Sequence, residues 1–255
     1  MNRIAFVLPL VLLACGDGGS SQSKPSASAT QAQKAPPAAP TPSASQAPKA
    51  KRPPRECGTG TEITFEEPVL ENSVRAQAKK ATGPITKADL AKVTSLNLTE
   101  AKVNDQLDPC VFPHLTKLKN LFLGRGELDD IALLANLKEL DSIRLSYTHV
   151  KDLSPLAGLK KLDRLDLGHT PVSDLKPLAE LTELTELLLD ETEVTDLSPL
   201  SNLKKLEVLS IKNTRVSDLK PLAGLEALKS LEISGSAVKD VSPVSKLPKL
   251  KIRQE

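Results

Sequence analysis

The chain has 255 residues, with 34 lysines and arginines against 32 acids, 2% aromatic residues and no tryptophan. A net charge of +2 is no nucleic-acid signature and excludes recognition driven by phosphate-backbone attraction. Seven of the cations and two of the acids lie in the first 56 residues, leaving 27 cations against 30 acids, near −3, for the remainder.

Residues 1–14 read as an export leader. Asn2 and Arg3 precede an apolar run from Ile4 to Leu13, which is too short to stay in a bilayer as a spanning helix. The run closes on Leu12, Leu13, Ala14 and Cys15, a stretch that resembles the lipobox of bacterial lipoproteins. The resemblance implies cleavage before Cys15, a diacylglyceryl group on its sulfur and an acyl chain on its new amino group. Buried acyl chains contribute about 0.8 kcal/mol per methylene, so two or three make a lasting membrane anchor. An ordinary secretory leader with an incidental cysteine is the alternative. Gly16 stands where an aspartate would favour the inner membrane, so the resemblance points to the bacterial cell envelope with the outer membrane favoured.

Residues 15–56 form a tether after this lipid attachment point. Ser20 to Pro54 is built from Ser, Ala, Gln, Pro and Lys without apolar periodicity, a composition that cannot form a core. About 35 unstructured residues reach roughly 30 to 35 Å, and toward about 110 Å if drawn into polyproline II. Lys49, Lys51, Arg52 and Arg55 make the far end basic. That end is either plain solvated linker or a contact for anionic head groups or cell-wall polymer.

Residues 57–112 depart from the frame that follows and read as an N-terminal cap with a first divergent repeat. Leu70, Val74 and Ala78 are four apart and predict a short helix ending near Gly83; Ile85, Thr86, Asp89, Leu90 and Val93 then lead into a strand at Leu96, Asn97 and Leu98. Residues 113–255 repeat every 22 residues. Leu115 recurs at Leu137, Leu159, Leu181, Leu203, Leu225 and Leu247, and such self-similarity predicts a stacked array. Each unit carries a hydroxyl residue (Thr148, Thr170, Thr192, Thr214, Ser236), then an aspartate (Asp152, Asp174, Asp196, Asp218, Asp240), then a proline three further on.

Leucines three apart, such as Leu153, Leu156, Leu159, Leu162 and Leu165, drift about 60° per step around an α-helix and collect on no single face. A strand at Ile143, Arg144 and Leu145 instead points two side chains in and one out. The aspartate then caps the return segment and the proline sits in its first turn. One coil buries about seven apolar side chains, for roughly 10 to 20 kcal/mol. Ordering its backbone costs about 20 to 40 kcal/mol, so coils have to stack.

Phe65, Leu70, Val74, Arg75, Gly83, Pro84, Ile85, Thr86, Asp89, Leu90 and Leu96, followed by the Asp-Leu-x-Pro-Leu stretches of the repeats, are similar to the cap and coils of internalin-type leucine-rich repeat proteins over about 195 of the 255 residues. The resemblance implies an α/β leucine-rich repeat solenoid: a parallel β-sheet on the concave face, short 3₁₀ or irregular convex segments and a small helical cap. Two features depart from it. The turn asparagine is replaced by hydroxyl residues, so the side-chain ladder is expected to run through Thr148, Thr170, Thr192, Thr214 and Ser236. No immunoglobulin-like segment follows within the sequence, whose last stretch is a short charged edge of Lys249, Lys251 and Arg253 around Leu250 and Ile252, a pattern that discourages end-to-end pairing.

Cys57 and Cys110 are the cysteines left beside Cys15. In an exported protein they are expected to form a disulfide, with two buried thiols as the alternative.

No catalytic constellation emerges. His114, His149 and His169 occupy three different phases of the repeat, and neither a metal-ligand spacing nor a nucleophile motif occurs. The aspartate column has the charge for calcium, but capping accounts for it. The reading is of a non-enzyme without cofactor or metal.

What remains is a surface. Seven strands about 4.8 Å apart make a sheet roughly 29 Å across, with Asn97, Phe122, Arg144, Asp166, Leu188, Ser210 and Glu232 as its outward column. Phe122, Arg144, Tyr147, Asp166, His169 and Leu188 form the candidate partner-binding patch, since aromatic and arginine side chains anchor interfaces. Scattered surface apolars are the plain alternative. The expected function is a monomeric, lipid-anchored module that binds a protein partner, not identified by the sequence, through its concave face; an envelope-structural or glycan-binding role is the alternative.

Overall fold

The computed structural model describes residues 55–101 and 105–254. The leader at 1–14, Cys15 and the tether up to residue 54 lie outside the described residues.

The cap begins with strand β1 (Glu62–Ile63), helix α1 (Pro68–Ala78), strand β2 (Ile85–Thr86) and the one-turn helix α2 (Lys87–Leu90). β1 and β2 pair antiparallel. Glu67 accepts from the Val69 N–H and Pro68 occupies the first helical turn of α1, where its missing N–H leaves nothing unpaired. Leu70 and Val74 are its buried face. The helix does not run to the neighbourhood of Gly83. It stops at Ala78 because Lys79 takes the left-handed conformation (φ 53°), and the Lys80 N–H closes back on the Arg75 carbonyl at 3.1 Å. Arg75 then donates to the carbonyls of Lys80 (3.3 Å) and Gly83 (2.9 Å), which supply acceptors beyond the helix end.

Asp89 in α2 is a four-way junction. It accepts from Lys92 (3.0 Å), Lys80 (3.1 Å), the Thr86 hydroxyl (2.8 Å) and the Thr86 N–H (3.1 Å). The Lys92 ammonium, and after it Thr86, hold its carboxyl far below the usual carboxylate range. A depressed folded-state pKa contributes stability that is present above about pH 4, the unfolded value, and is lost as pH falls below it. The drop in unfolding midpoint between about pH 6 and pH 2 is therefore expected to shrink in Asp89→Asn, measured by urea unfolding at each pH. An equal drop in both chains contradicts the assignment.

Strands β3 (Ser95–Leu98), β4 (Asn120–Leu123), β5 (Ser142–Arg144), β6 (Arg164–Asp166), β7 (Glu186–Leu188), β8 (Val208–Ser210), β9 (Ser230–Glu232) and β10 (Lys251–Arg253) form one parallel sheet in sequence order. Each coil pairs with the next without slip, so Leu121, Ile143, Leu165, Leu187, Leu209 and Leu231 stand in one inward row. A typical coil buries Leu137, Leu140, Ile143, Leu145, Val150, Leu153 and Leu156 to 1% exposure or less. α1 packs against β3 and covers that end of the core.

The charged terminal edge proves to be an eighth strand. Ile252 falls into register with Leu231, and Arg253 pairs with Glu232 at 2.8 Å, so the charges decorate the edge strand of the sheet.

The return segments are 3₁₀ turns, from Ser154–Leu156 through Ser242–Val244 in the regular coils. Asp130, Asp152, Asp174, Asp196, Asp218 and Asp240 each accept from the backbone N–H two residues on, at 2.8 to 2.9 Å. The hydroxyls of Ser154, Ser198 and Ser242, with their N–H groups, pull the carboxyls of Asp152, Asp196 and Asp240 below the ordinary range. The column is a set of local bonds at the entry to these turns, each made from one residue before the N-cap position, which has no side-chain bond of its own.

The hydroxyl residues do not form a ladder from coil to coil. Thr148, Thr170, Thr192 and Thr214 each donate to the carbonyl three residues back in their own coil, at 2.6 to 2.7 Å. They are buried under the turn, where the nearest unmet acceptor is local, so the bond closes each turn on itself. Coil-to-coil ties come instead from lysines: Lys160 donates to the Glu180 carbonyl (3.1 Å), Lys204 to the Gly224 carbonyl (3.2 Å), and Lys161 and Lys205 pair with Glu139 and Glu183 one coil back.

Cys57 and Cys110 are bonded, with Cα atoms 5.3 Å apart. The bond joins the start of the cap to the segment entering the first regular coil. Beside it the Arg55–Asp108 ion pair, each side chain 11% exposed, holds the same two segments together.

Candidate functional site

The outward column of the sheet reads Asn97, Phe122, Arg144, Asp166, Leu188, Ser210, Glu232 and Arg253, paired neighbour to neighbour. Alternation along each strand puts these side chains opposite the leucine row. Arg144 donates through Nε to Asp166 (3.1 Å) and to the Ser146 hydroxyl (3.1 Å). Asp166 also accepts from the Gly168 N–H at 3.0 Å, so one carboxylate fixes both the arginine and the turn after β6.

Phe122 and Leu188 do not meet. They lie on β4 and β7, three strand spacings or about 14 Å apart; Phe122 flanks Arg144 in register, and Leu188 lies between Asp166 and Ser210. The sequence-derived patch is thus two centres, one around Phe122 and Arg144 and one around Leu188, bridged by Asp166.

Tyr147 and His169 stand at the rim, just past the ends of β5 and β6. Their rings stack with centroids 4.0 Å apart and planes 15° from parallel. The Arg125 guanidinium lies 4.7 Å from the Tyr147 centroid, and His169 Nδ1 lies 3.1 Å from Glu191. Asn213 Nδ2 continues the row to Glu191 at 3.4 Å. Because β4, β5 and β6 are consecutive neighbours, Arg125 and His169 approach Tyr147 from opposite sides and cover both faces of its ring.

Arg125, Glu191 and Asn213 were not legible as site residues, because residue identity changes at every step of this row. The detectable signal was backbone preference. Tyr147, His169, Glu191, Asn213 and Gly235 all have positive φ, between 53° and 68°; His169, Asn213 and Gly235 are residue types that favour it, Tyr147 and Glu191 are not. At Gly235 the limit is also spatial, since a Cβ there would stand 2.0 Å from the Asn213 side-chain oxygen.

Past Leu188 the face is consumed by its own ion pairs. Lys212 contacts Asp190 (3.1 Å) and Glu232 (2.9 Å), and Arg253 closes on Glu232 (2.8 Å). Glu232 and then Asp190 push the Lys212 ammonium up, and Lys212 in turn pulls the Glu232 carboxyl down. These charges satisfy one another, whereas the Phe122–Tyr147 end presents aromatic and arginine groups. Among the described residues, no group of three or more His, Cys, Asp or Glu is placed to hold a metal ion.

A family model described as Leucine Rich repeats (2 copies) matches residues 138–180 and again 182–224. Among solved structures, an internalin (inlF) from Listeria monocytogenes is 31% identical over 74% of this chain and 55% of its own, with a TM-score of 0.67. An internalin C2 from the same organism is 29% identical over 75% of this chain and 94% of its own, with a TM-score of 0.66. The chain folds as a leucine-rich repeat solenoid whose coils are similar to those of these internalins. A leucine-rich repeat protein of Leptospira interrogans, 23% identical over 66% of this chain and 51% of its own at a TM-score of 0.53, shares the fold. The leucine-rich repeat chain spans 55% of the length of the first internalin it matches. No curated protein sequence matches it.

Proposed function

We propose that this leucine-rich repeat protein is a lipid-anchored module of the bacterial cell envelope that binds a protein partner through the concave face of its sheet. The observation that carries the reading is the Phe122–Arg144–Asp166 column with the Tyr147 stack at its rim. Aromatic and arginine groups on a preorganised surface are the usual anchors of protein interfaces. Repeat solenoids use this curved face because the rest of the coil is committed to stacking. The lipobox resemblance at Leu12–Cys15 supports an anchor on Cys15, the proline-rich stretch up to residue 56 supports a spacer, and Gly16 favours the outer membrane. The module acts as a monomer, with Lys49, Lys51 and Arg52 of the spacer available to cell-wall polymer, whereas Arg55 is committed to Asp108 and Thr64.

The glycan-binding alternative is served less well. Saccharide rings stack on open aromatic faces, and both faces of Tyr147 are occupied by Arg125 and His169.

The test is retention of a protein from envelope extract on the full chain, against retention of the chain on isolated wall polymer. Phe122→Ala with Tyr147→Ala is expected to weaken the protein complex about tenfold or more, with circular dichroism unchanged. Unchanged affinity in a folded double variant rejects the face. Radiolabelled palmitate should enter the full chain and be lost in Cys15→Ser; equal labelling of both rejects the anchor.

A further inference from the structure

We propose that the Cys57–Cys110 bond is a site of reversible thiol–disulfide exchange, entered at Cys57 by the thiolate of a low-molecular-weight peptide thiol, with Cys110 as the leaving group. The site belongs to the cap and is independent of the concave-face reading.

The two halves of the bond are unequally open. Cys57 is exposed, whereas Cys110 is 6% exposed. Exchange begins with attack of a thiolate on one sulfur, and access decides which sulfur is struck and which departs. Cys57 is therefore the point of entry. Beside the bond lies a cavity of about 150 Å³ walled by both cysteines together with Glu62, Lys87 and His114. Space for an incoming sulfur thus exists in the folded chain.

Lys87 is the cation of this cavity. Burial, and after it the Lys87 charge, push the His114 imidazole down, so the ring is neutral at neutral pH and adds no charge of its own. An ammonium here attracts the incoming thiolate and favours negative charge on the departing Cys110 sulfur. Glu62 on the same wall opposes it.

In the first step the reagent sulfur bonds to Cys57 Sγ as the Cys57–Cys110 bond breaks. The electron pair leaves on Cys110, which takes a proton from water. A second thiolate then attacks the reagent sulfur of the mixed disulfide and releases Cys57, which is protonated in turn. Two reagent thiols are oxidised to their disulfide and one protein disulfide is reduced to two thiols.

Reduction loosens the cap without parting its two segments. Arg55 and Asp108 stand two residues before Cys57 and Cys110 respectively, and their ion pair, each side chain 11% exposed, is a second rung between the same stretches. Arg55 also donates to the Thr64 carbonyl at 2.7 Å and pairs with Glu66 at 3.4 Å, while Asp108 accepts from the Cys110 N–H at 2.8 Å. This rung does not respond to thiols. It keeps the reduced cysteines as neighbours, so oxidation can restore the bond.

Cys15, Cys57 and Cys110 fall on separate tryptic peptides, so the full chain can be mapped site by site. It is treated with millimolar reduced glutathione at neutral pH, quenched with N-ethylmaleimide at intervals and read by peptide mass spectrometry. Early adducts should carry glutathione on Cys57 and maleimide on Cys110, by about tenfold or more over the reverse, with circular dichroism unchanged. Lys87→Gln should slow the exchange about three- to tenfold, with its urea midpoint unmoved. After transfer of the reduced chain to glutathione disulfide, the Cys57–Cys110 bond should re-form. Asp108→Asn, which keeps an acceptor for the Cys110 N–H, should slow that step about threefold or more by weakening the second rung. Adducts shared equally between the cysteines, exchange seen only where urea unfolds the chain, or a Lys87→Gln chain as fast as its parent overturns the proposal. Re-formation as fast in Asp108→Asn as in the parent overturns the part given to Arg55 and Asp108.

Discussion

Leu187→Ala is expected to destabilise the protein by about 3 to 5 kcal/mol, while Leu188→Ala, one residue further along β7, costs under about 1 kcal/mol. Leu187 is 0% exposed and lies between Leu165 and Leu209 in the inward row. Truncation removes its transfer free energy and leaves a cavity that the flanking coils cannot close, because each is pinned by strand pairing on its far side. Leu188 faces outward between Asp166 and Ser210 and leaves no enclosed void. Urea unfolding of the full chain, followed by circular dichroism, measures both. Equal costs would mean that the two faces of the sheet are wrongly assigned, and the interaction surface with them.

Removing the Cys57–Cys110 bond as a Ser/Ser double variant is expected to cost about 4 kcal/mol, from the loop-closure entropy of a 53-residue separation. The cap is the part that loosens, exposing the β3 end of the core that α1 covers. Denaturing, non-reducing thiol titration gives a first check. A chain lipidated on Cys15 should show no free thiol and an unlipidated chain one; two or three, respectively, would mean the bond does not form. The urea midpoint of the Ser/Ser variant supplies the magnitude, and a midpoint within error of the parent would show that the Arg55–Asp108 pair holds the cap unaided.

The sheet, its register and its outward column were readable because one leucine phase recurs through every coil from Leu115 to Leu247. In a solenoid the spacing along the chain is also the neighbour relation in space. The features the sequence does not display depend on conformation rather than recurrence. The sequence hides β10 because its unit is one residue short: Ile252 pairs with Leu231, where the 22-residue frame would set Arg253. The sequence points to an end of α1 near Gly83, whereas Lys79 takes the left-handed role and Arg75 covers the carbonyls beyond. The threonines suggested a ladder because they align, yet a short hydroxyl reaches its own coil before the next. The rim row is half legible: Tyr147 and His169 are rare residues in the sequence, while Arg125 and Glu191 read as ordinary surface charges and take their places only in the stack.

Slip-free stacking gives the molecule a unit of length. Excising one 22-residue repeat between the rim stack and β10 would bring those two features closer by one strand, about 4.8 Å, and leave every other side chain aimed as before. Duplication would do the reverse. Reach along a bound target can therefore change in quanta, by copying or deleting a single segment of gene, without any contact having to be invented again.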